Sequence, residues 1–379
     1  MISQTDIADI LRGYDTSKLH VASLGGHSAL DVCRGAKNEG LGTVVVAQKG
    51  REQTYEKYYK TRGDSSNQKG CVDHVIVVDN FADVVKPEIQ QQLRDLNAVF
   101  VHSRYFWVYC DFNEVENNFR VPIVGTRELV RKEERDEEKN QYFLLNEGGV
   151  SVPIQFEKPE DIDRLVIVKT NEATRGYERS FFIVNSFEAY KTRGAEKIAA
   201  GEITEESLKT AVIEEFVLGP QINLNYFYSP LSGELEILGT DTRRQTNLDG
   251  LLRLTAPEQA EVLKYVQPKY IENGHQTVTM KESLLEQAFR AGEGFVRATQ
   301  KHYKPGIIGP FALQGAFTAG PPKEEFKVFD VSMRIPGSPG IMYTPYTNYL
   351  YGESVSTGQR LARELKAAVA QNRLSELLT

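Results

Sequence analysis

The last quarter of the chain contains a pair of residues suited to binding a metal ion. Strands are predicted at 308–318 and 326–334, and the loop between them is centred near Pro322. If the two strands pair symmetrically about that point, Gln314 and Asp330 lie directly opposite each other, with Cβ atoms roughly 5 Å apart. Their amide and carboxylate oxygens could share a hard cation such as Mg²⁺, which also takes phosphate oxygens. The alternative is a polar pair on the open face of a sheet.

Two basic side chains are candidates for binding phosphate. Lys169 ends a predicted strand, 165–169, whose antiparallel partner is predicted at 181–184. The long polar loop between them, TNEATRGYERS, places Lys169 at the mouth of a hairpin, where it can either contact a phosphate or simply be exposed to solvent. Arg334 alternates onto the strand face that carries Asp330, because successive side chains of a strand point to opposite sides.

Two consecutive carboxylates, Glu214 and Glu215, lie in another predicted strand, 211–219. Adjacent strand residues face opposite sides of a sheet. One of these two carboxylates must therefore face the interior or be paired. A further hairpin, 223–228 with 234–241, follows directly, so antiparallel strands dominate this part of the chain.

A glycine-rich turn, 25–28, lies between the first predicted strand, 19–24, and a helix predicted at 29–38. Backbone N–H groups and the helix dipole could bind a phosphate there. The sequence GGHS has neither the GxGxxG spacing nor the lysine of a P-loop, and a tight turn with Ser28 as the N-cap is an equally good interpretation. His27 faces the crevice beyond the strand ends, where ligands of open α/β sheets bind.

The elements that must position these residues begin with an alternation of strands and helices in the first third of the chain. Besides the first strand and helix, the apolar runs and turn residues predict a helix at 87–96 and strands at 43–47, 74–78, 98–101 and 121–124. This pattern predicts an α/β fold with a small, doubly wound parallel sheet. A charged segment, 127–146, then predicts a helix whose first half is solvated and which connects two domains. Residues 51–70 are predicted to form a loop, either a solvated insertion or a substrate lid.

Composition and charge exclude several classes of protein. The chain has 379 residues with a net charge of −7, which argues against a nucleic-acid binder. We expect no signal peptide at its N-terminus, and it lacks the roughly 18 consecutive apolar residues of a membrane span. Its three cysteines, Cys33, Cys71 and Cys110, form no CxxC motif, so neither a disulfide framework nor a zinc site is indicated. We therefore expect a soluble, cytoplasmic protein that binds neither nucleic acid nor membrane.

Taken together, the chemistry-bearing motifs resemble an ATP-grasp module, in which a nucleotide lies between two sheets. The shared features are Lys169 at a hairpin mouth, IEEFVLG on a later strand and paired ligands on a final hairpin. The whole chain, more specifically, resembles the archaeal PurP family, the formate-dependent synthetases of late purine biosynthesis. The matching stretches span nearly its full length and include LGGHSALDVCRGAKNEG, NYFYSPLSGELEILGTD, TNLDGLLRL, PGIIGPFALQ and FDVSMR.

The resemblance implies an ATP-dependent ligase that uses Mg²⁺ or Mn²⁺. It would join formate, through formyl phosphate, to the aminoimidazole carboxamide ribotide AICAR, giving FAICAR, ADP and phosphate. The implied partners are ATP, an AICAR-like ribotide, formate or another small carboxylate, and further copies of the chain in a homo-oligomer. The implied domains are an N-terminal α/β domain at 1–126, an ATP-grasp lid at 127–210 and a C-terminal ATP-grasp subdomain at 211–379.

The same resemblance assigns roles to individual residues. Lys169 and Arg334 would be catalytic, and Gln314 and Asp330 would bind the metal, where Asp330 replaces the usual Glu of the family. Residues that would bind the acceptor substrate are His27, Tyr105 and Asn247. Residues that would bind ATP are Lys169, Arg175, Gly176, Glu214, Glu215, Val217 and Gln221.

The chain departs from the family pattern at three places where substrate or phosphate should lie. The family's HGS reads Ser103-Arg104-Tyr105, its glycine-rich phosphate loop reads NEATRGYERSFF, and its RxDGGTN reads RIPGSPG. Because glycine lets a backbone approach a phosphate closely, these losses bear on activity. Two alternatives therefore stay open: a ligase with another acceptor, and a nucleotide-binding paralogue without activity.

Overall fold

The computed structural model describes residues 1–64, 67–135, 137–170, 181–266, 272–320 and 323–379, except the side chain of Thr246. Its first sheet has five strands, β1 (His20–Leu24), β2 (Gly42–Gln48), β3 (His74–Val78), β4 (Ala98–Val101) and β5 (Ile123–Val124). They are all parallel, in the order β3-β2-β1-β4-β5. The helices of this part are α1 (Gln4–Arg12), α2 (Ala29–Asn38), α3 (Pro87–Asp95), α4 (Arg104–Tyr109) and α5 (Phe112–Asn117). The predicted doubly wound α/β arrangement is confirmed.

The central strands form because their sequences are runs of β-branched and small apolar residues. Strand β2 reads GTVVVAQ, with all five central residues buried. Near-continuous apolar runs of this kind are typical of parallel strands covered on both faces. The predicted loop at 51–70 contains a short π-helical turn at Thr54–Tyr58, with Tyr55 buried in the core.

The second part of the chain folds into two antiparallel sheets. Strands β6 (Gln155–Phe156), β7 (Val166–Lys169), β8 (Phe181–Val184) and β9 (Val212–Glu215) form a four-stranded sheet in the order β6-β9-β7-β8. Strands β10 (Gln221–Ser229), β11 (Glu234–Gln245), β12 (Glu272–Thr277), β13 (Gly309–Thr318) and β14 (Glu325–Ser332) form a five-stranded sheet in the order β12-β11-β10-β13-β14. The predicted hairpins are confirmed, although β9 ends at Glu215 and Val217 lies beyond it.

The remaining helices cover these sheets and connect their strands. They are α6 (Gln141–Glu147), α7 (Phe187–Ala199), α8 (Glu205–Lys209), α9 (Thr246–Leu251), α10 (Ala256–Val262), α11 (Leu285–His302), α12 (Tyr346–Tyr351) and α13 (Thr357–Ala370). The long helix α11 packs Phe295 against Phe311 of β13 in the largest apolar core. Among the residues that the structure describes, none of the helices has the length and apolar character needed to cross a bilayer.

The final hairpin does not pair symmetrically about its loop, yet it brings the predicted pair together. Near the loop, Gly315 pairs with Val328, and a β-bulge at Phe329 then shifts the register so that Gln314 pairs with Asp330. Without this extra residue, Gln314 would face Phe329 instead. Glycine is required beside the bulge, because a Cβ at Gly315 would lie 2.3 Å from the carbonyl oxygen of Lys327.

The charged segment 127–146 differs from the prediction of one helix with a solvated first half. It forms a 3₁₀ helix over Arg127–Glu133 and then α6, and Arg127 is only 2% exposed. The Arg127 guanidinium donates to the carbonyl oxygens of Phe119 (2.9 Å) and Thr379 (2.7 Å), and these backbone dipoles offset part of the cost of burying its charge. Charged residues such as Arg127 and Glu133 thus have internal partners, whereas Glu134, Glu138 and Lys139 are exposed.

The same segment also covers the edge of the five-stranded sheet at β14. Strand β14 is the last strand of its sheet, and edge strands present unpaired backbone groups. Glu133 accepts a hydrogen bond from the N–H of Met333 (2.6 Å), and Gln141 accepts one from the N–H of Val331 (2.7 Å). The segment thereby fixes the strand that carries Asp330.

Candidate active site

A cavity of about 910 Å³ is lined by residues of both antiparallel sheets, by the turn after β1 and by helix α4. Asn247 is not among the residues that line it, although its neighbours Gln245 and Leu248 are. Arg175 and Gly176 lie outside the described residues. The other predicted site residues all line this cavity: His27, Tyr105, Lys169, Glu214, Glu215, Val217, Gln221, Gln314, Asp330 and Arg334.

One end of the cavity holds a buried ion pair between Lys169 of β7 and Glu214 of β9. Tyr142 of α6 donates to Glu214 (2.7 Å), and Lys169 donates to the carbonyl oxygen of Phe329 (3.2 Å). Burial lowers the pKa of Lys169 from its ordinary value, although Glu214 favours the charged form. Lys169 is thus a fixed cation at the junction of the two antiparallel sheets.

Glu215, the second carboxylate of β9, is also paired. Lys327 of β14 donates to it at 2.7 Å, and the backbone N–H of Ile154 donates to it at 3.3 Å. The expectation that one of the two carboxylates is buried or paired is confirmed for both. Beyond the strand, Phe216 and Val217 add apolar lining to this end of the cavity, a suitable surface for an aromatic base.

Gln314 and Asp330 project into the middle of the cavity and are 6% exposed each. Gln314 accepts a hydrogen bond from Arg243 through Oε1 and donates to Ser332 (2.9 Å) through Nε2. Within the described part of the chain no cluster of three or more His, Cys, Asp or Glu side chains could hold a metal. An amide and a carboxylate oxygen fit Mg²⁺ or Mn²⁺ better than Zn²⁺, with phosphate oxygens and water as the other ligands.

The Gln314–Asp330 pair is part of a polar row that crosses the whole five-stranded sheet. Cross-strand pairing aligns Thr277, Asp241, Asn223, Gln314 and Asp330, one from each strand. Asp241 is fully buried, and its carboxylate accepts hydrogen bonds from the side-chain amides of Asn223 (2.8 Å) and Asn225 (2.7 Å). Lateral neighbours in an antiparallel sheet share one face, and all members of the row except Thr277 line one wall of the cavity.

His275 of β12 lies between two carboxylates in the same wall. Its Nδ1 bonds Asp241, and its Nε2 lies 2.8 Å from Glu272. Burial alone would lower the pKa of His275, but hydrogen bonds to both carboxylates outweigh burial and raise it to about 9. Glu272 in turn pairs with Arg243 at 3.1 Å. His275 is therefore a cation at neutral pH.

The opposite end of the cavity is built on the glycine-rich turn after β1. His27 has a φ of +51°, a left-handed conformation that is uncommon for a residue other than glycine. Tyr105 of α4 packs over Gly26, where a Cβ would lie 2.3 Å from the ring. Burial, followed by the positive charge of Arg334, lowers the pKa of His27 to about 3, so the imidazole is neutral at physiological pH.

Two charged residues at the site, Arg135 and Glu133, carry no motif and were missed by sequence reasoning. Arg135 lines the cavity with a side chain 9% exposed, and its guanidinium lies 3.9 Å from Asp330. Glu133 pairs with the cavity residue Arg334 at 3.1 Å. Arg104, which lies in the departure from the family's HGS, also lines the cavity. Arg135 and Glu133 belong to the segment interpreted as solvated, so the charge pattern hid them.

Comparisons with known proteins fit this geometry. Two family models match, one described as "Protein of unknown function (DUF1246)" over residues 21–156 and one as "Domain of unknown function (DUF1297)" over residues 189–379. A crystal structure of an IMP biosynthesis protein PurP from Thermococcus kodakaraensis superposes with a TM-score of 0.69 and 26% identity, covering 95% of this chain and 100% of that one. The ADP complex of the N5-carboxyaminoimidazole ribonucleotide synthetase PurK superposes with a TM-score of 0.57 at 14% identity, covering 85% of this chain and 71% of that one, a likeness in fold alone.

The fold and the site define an ATP-grasp protein. Two full-length relatives, both named 5-formaminoimidazole-4-carboxamide-1-(beta)-D-ribofuranosyl 5'-monophosphate synthetase, are similar throughout. The protein from Methanopyrus kandleri is 40% identical over 100% of both chains. The one from Methanothermobacter thermautotrophicus is 37% identical over 100% of this chain and 99% of its own. The chain belongs to this synthetase family, the PurP family.

Proposed function

We propose that this chain is an ATP-grasp ligase that formylates AICAR with formate at the expense of ATP, giving FAICAR, ADP and phosphate. ATP phosphorylates the carboxylate of formate, and the amine of AICAR attacks the resulting formyl phosphate. A C–N bond forms, the C–O bond to phosphate breaks, and phosphate leaves. Full-length similarity to the named synthetases supports the reaction.

The observation that carries the proposal is that one cavity has two ends of different chemical character. The Lys169–Glu214 end, with its apolar lining, suits a nucleotide, and the His27–Tyr105 end, beyond the parallel strands, suits the acceptor. The Gln314–Asp330 pair lies on the wall between them, where the phosphoryl group would pass from ATP to the carboxylate.

The chain's own residues supply charge and orientation rather than a nucleophile. Lys169, Arg135 and Arg334 would offset the negative charge of the transferring phosphoryl group. Gln314 and Asp330 would hold Mg²⁺ or Mn²⁺, which when bound neutralises and orients phosphate oxygens. The cysteines do not compete as nucleophiles, because all three are buried and burial raises the pKa of each thiol.

The test is release of phosphate from ATP by the purified chain with Mg²⁺, AICAR and formate. We expect release that requires all four components and a product carrying the formyl group. Absence of turnover with AICAR and formate, under conditions where ATP binds, would overturn this reaction. The fold would be unaffected.

A different acceptor is the second candidate, favoured by Arg104 and Tyr105. Both line the acceptor end, and both replace smaller residues of the family pattern, so they narrow it and add a positive charge. Phosphate release measured across ribotides and small carboxylates separates this candidate from the first. A nucleotide-binding paralogue without activity would bind ATP and Mg²⁺ in calorimetry and turn over no amine.

Further parts of the proposal rest on the sequence and the resemblance. They are the domain boundaries at 126/127 and 210/211, a homo-oligomeric state, a cytoplasmic location and the absence of nucleic-acid binding. Size-exclusion chromatography with light scattering tests the oligomer, and limited proteolysis tests the boundaries.

A further inference from the structure

Ser28 occupies the N-cap position of α2, but its side chain makes no capping hydrogen bond, contrary to the sequence interpretation. Its hydroxyl instead lies 2.6 Å from the carbonyl oxygen of Pro336 and 2.9 Å from Nδ1 of His27. Ser28 is 3% exposed, so water does not compete for these bonds. The three groups form a short chain from the imidazole to the loop that follows β14.

The direction of these hydrogen bonds follows from counting protons. A carbonyl oxygen only accepts, so the single hydroxyl proton of Ser28 is donated to Pro336. The hydroxyl oxygen must then accept from His27, and Nδ1 must carry the proton. A neutral imidazole has one N–H, so Nε2 carries a lone pair and no proton.

The exposed edge of this imidazole faces the cavity. Nε2 lies over Gly337, where a Cβ would approach it to 2.6 Å, and Gly337 itself lines the cavity. Nε2 makes no hydrogen bond to the described residues of the chain. A lone pair on a neutral ring accepts N–H or O–H groups and repels the oxygens of a phosphate.

We propose that Ser28 is a positioning residue that fixes His27 as a hydrogen-bond acceptor, and that Nε2 of His27 binds an N–H of the acceptor's amino or carboxamide group rather than its phosphate. This inference rests on the proposed function, because it concerns the acceptor of that reaction. The nearby guanidinium of Arg104, which also lines the cavity, suits the phosphate better. The N–H bond would orient the amine toward the acyl group.

A comparison of two ligands tests which group His27 binds. His27→Asn keeps a residue that tolerates a positive φ but is too short to replace Nε2. Calorimetry of wild type and variant uses AICAR and its dephosphorylated riboside. We expect the variant to bind both ligands more weakly than wild type by the same factor, about tenfold for the loss of one hydrogen bond. A loss seen with the ribotide alone would assign His27 to the phosphate and overturn the inference, as would no loss with either ligand.

The role of Ser28 is tested by ¹⁵N spectra of the imidazole groups in the free protein. We expect His27 to have a protonated Nδ1 and an unprotonated Nε2 in wild type and in Ser28→Thr, and a mixture of tautomers in Ser28→Ala. Ser28→Ala should also raise KM for AICAR and leave KM for ATP unchanged, with recovery in Ser28→Thr. Ser3→Ala, which removes a side-chain cap from α1, is the control for a general loss of stability.

The outcomes separate this inference from the proposed function. Wild-type turnover combined with a protonated Nε2, or a Ser28→Ala spectrum identical to wild type, overturns the inference alone. Failure of the wild type to bind or formylate AICAR overturns the proposed function and removes the acceptor on which the inference rests.

Discussion

Asp330 is the residue whose charge the proposed chemistry needs most. It supplies the anionic oxygen of the Gln314–Asp330 pair, and a cation bridging ATP phosphates requires such an oxygen. Asp330→Asn should lower ATP-dependent phosphate release at least about 100-fold, because metal-centred charge stabilisation contributes several kcal/mol. Asp330→Glu should be milder, since it keeps the charge and changes only its reach.

The control for Asp330 is Glu325→Gln, a loss of one carboxylate on the same strand at a position that does not line the cavity. It should leave turnover within about twofold of wild type. If Asp330→Asn keeps both full ATP affinity and full Mg²⁺ dependence, the metal assignment of this hairpin is wrong. The cation would then be sought among Glu214, Glu215 and Asp241.

Arg135 offers a second residue-scale prediction, because a buried guanidinium beside the metal pair is placed to bind a phosphate. Its Nε has no hydrogen-bond partner among the described residues. Arg135→Met should reduce kcat/KM for ATP by roughly ten- to a hundredfold, the value of one or two charge-assisted hydrogen bonds. Arg131→Met is the matched control, because Arg131 pairs with Glu116 at 2.9 Å and does not line the cavity. The control should lower the melting temperature and leave ATP affinity unchanged.

The strand pattern placed Lys169 at a hairpin mouth and Asp330 opposite Gln314, and the family resemblance assigned these residues and Glu214 to the site. The contact between Asp241 and His275 could not be found in either way. Their contact depends on pairing between β11 and β12, and β12 is a polar strand, ENGHQT, without an apolar alternation. A long-range register of that kind is set by tertiary packing.

At the scale of elements, the bulge in β14 decides whether Gln314 and Asp330, the proposed metal ligands, lie opposite each other. Gly315→Ala would force a Cβ against the Lys327 carbonyl and shift the register. We expect a loss of about 1–3 kcal/mol in the free energy of unfolding, together with weaker Mg²⁺-dependent ATP binding. Gly250→Ala is the control, because a Cβ there meets nothing within 4 Å in helix α9. Equal Mg²⁺ dependence in Gly315→Ala and wild type would contradict this link.

The pairing of β11 with β12 predicts a pH dependence of stability. The pKa of His275 is raised from 6.5 to about 9 in the folded protein, so folding favours its protonated form. The contribution of His275 to the free energy of unfolding is fully present below pH 6.5. It is lost as pH rises toward 9, a decrease of up to about 3 kcal/mol. Denaturant unfolding at several pH values should show this decline in wild type and not in His275→Gln. A parallel decline in both proteins would assign it to other groups.

The strand and helix pattern of the first sheet was readable because each element has a strong local signal, such as the capping box of Ser3 and Asp6 or the apolar run of β2. The bulge was not readable. The assumption of symmetric pairing correctly predicted that Gln314 lies opposite Asp330, but the pairs nearer the loop are shifted by one residue from that symmetric register. Backbone irregularities of one residue leave no pattern in the sequence of the strand.

At the scale of the whole molecule, the end of the chain returns to the first sheet. Thr379 exchanges two backbone hydrogen bonds of 2.9 Å with Ile123 of β5. One apolar core joins residues of the first strands, such as Val21, with residues of α13, such as Leu361 and Leu365. No local signal marks this return, because α13 reads as an ordinary amphipathic helix. Its consequence is that the parallel sheet and the antiparallel module share a core.

The crossing of α2 and α13 predicts a link between this shared core and the acceptor end of the site. A Cβ at Gly358 would lie 2.2 Å from the carbonyl oxygen of Asp31, so the two helices touch through backbone. Gly358→Val should push α2 away, lower the melting temperature and raise KM for AICAR, since His27 and Ser28 begin that helix. KM for ATP should stay within about twofold, because Lys169 lies on another sheet.

Ala370→Val is the control for that substitution, because it adds similar bulk at an exposed position in the last turn of the same helix. It should change neither KM. Steady-state kinetics and calorimetric melting of wild type, Gly358→Val and Ala370→Val test this prediction. A rise in both KM values for Gly358→Val would mean that the helix crossing supports the whole cavity, whereas a lowered melting temperature with both KM values unchanged would mean that the acceptor end is held independently of α2. Either result would contradict the prediction that the α2–α13 contact affects the acceptor end alone. That prediction requires the contact between the two helix backbones to set the position of the His27 imidazole.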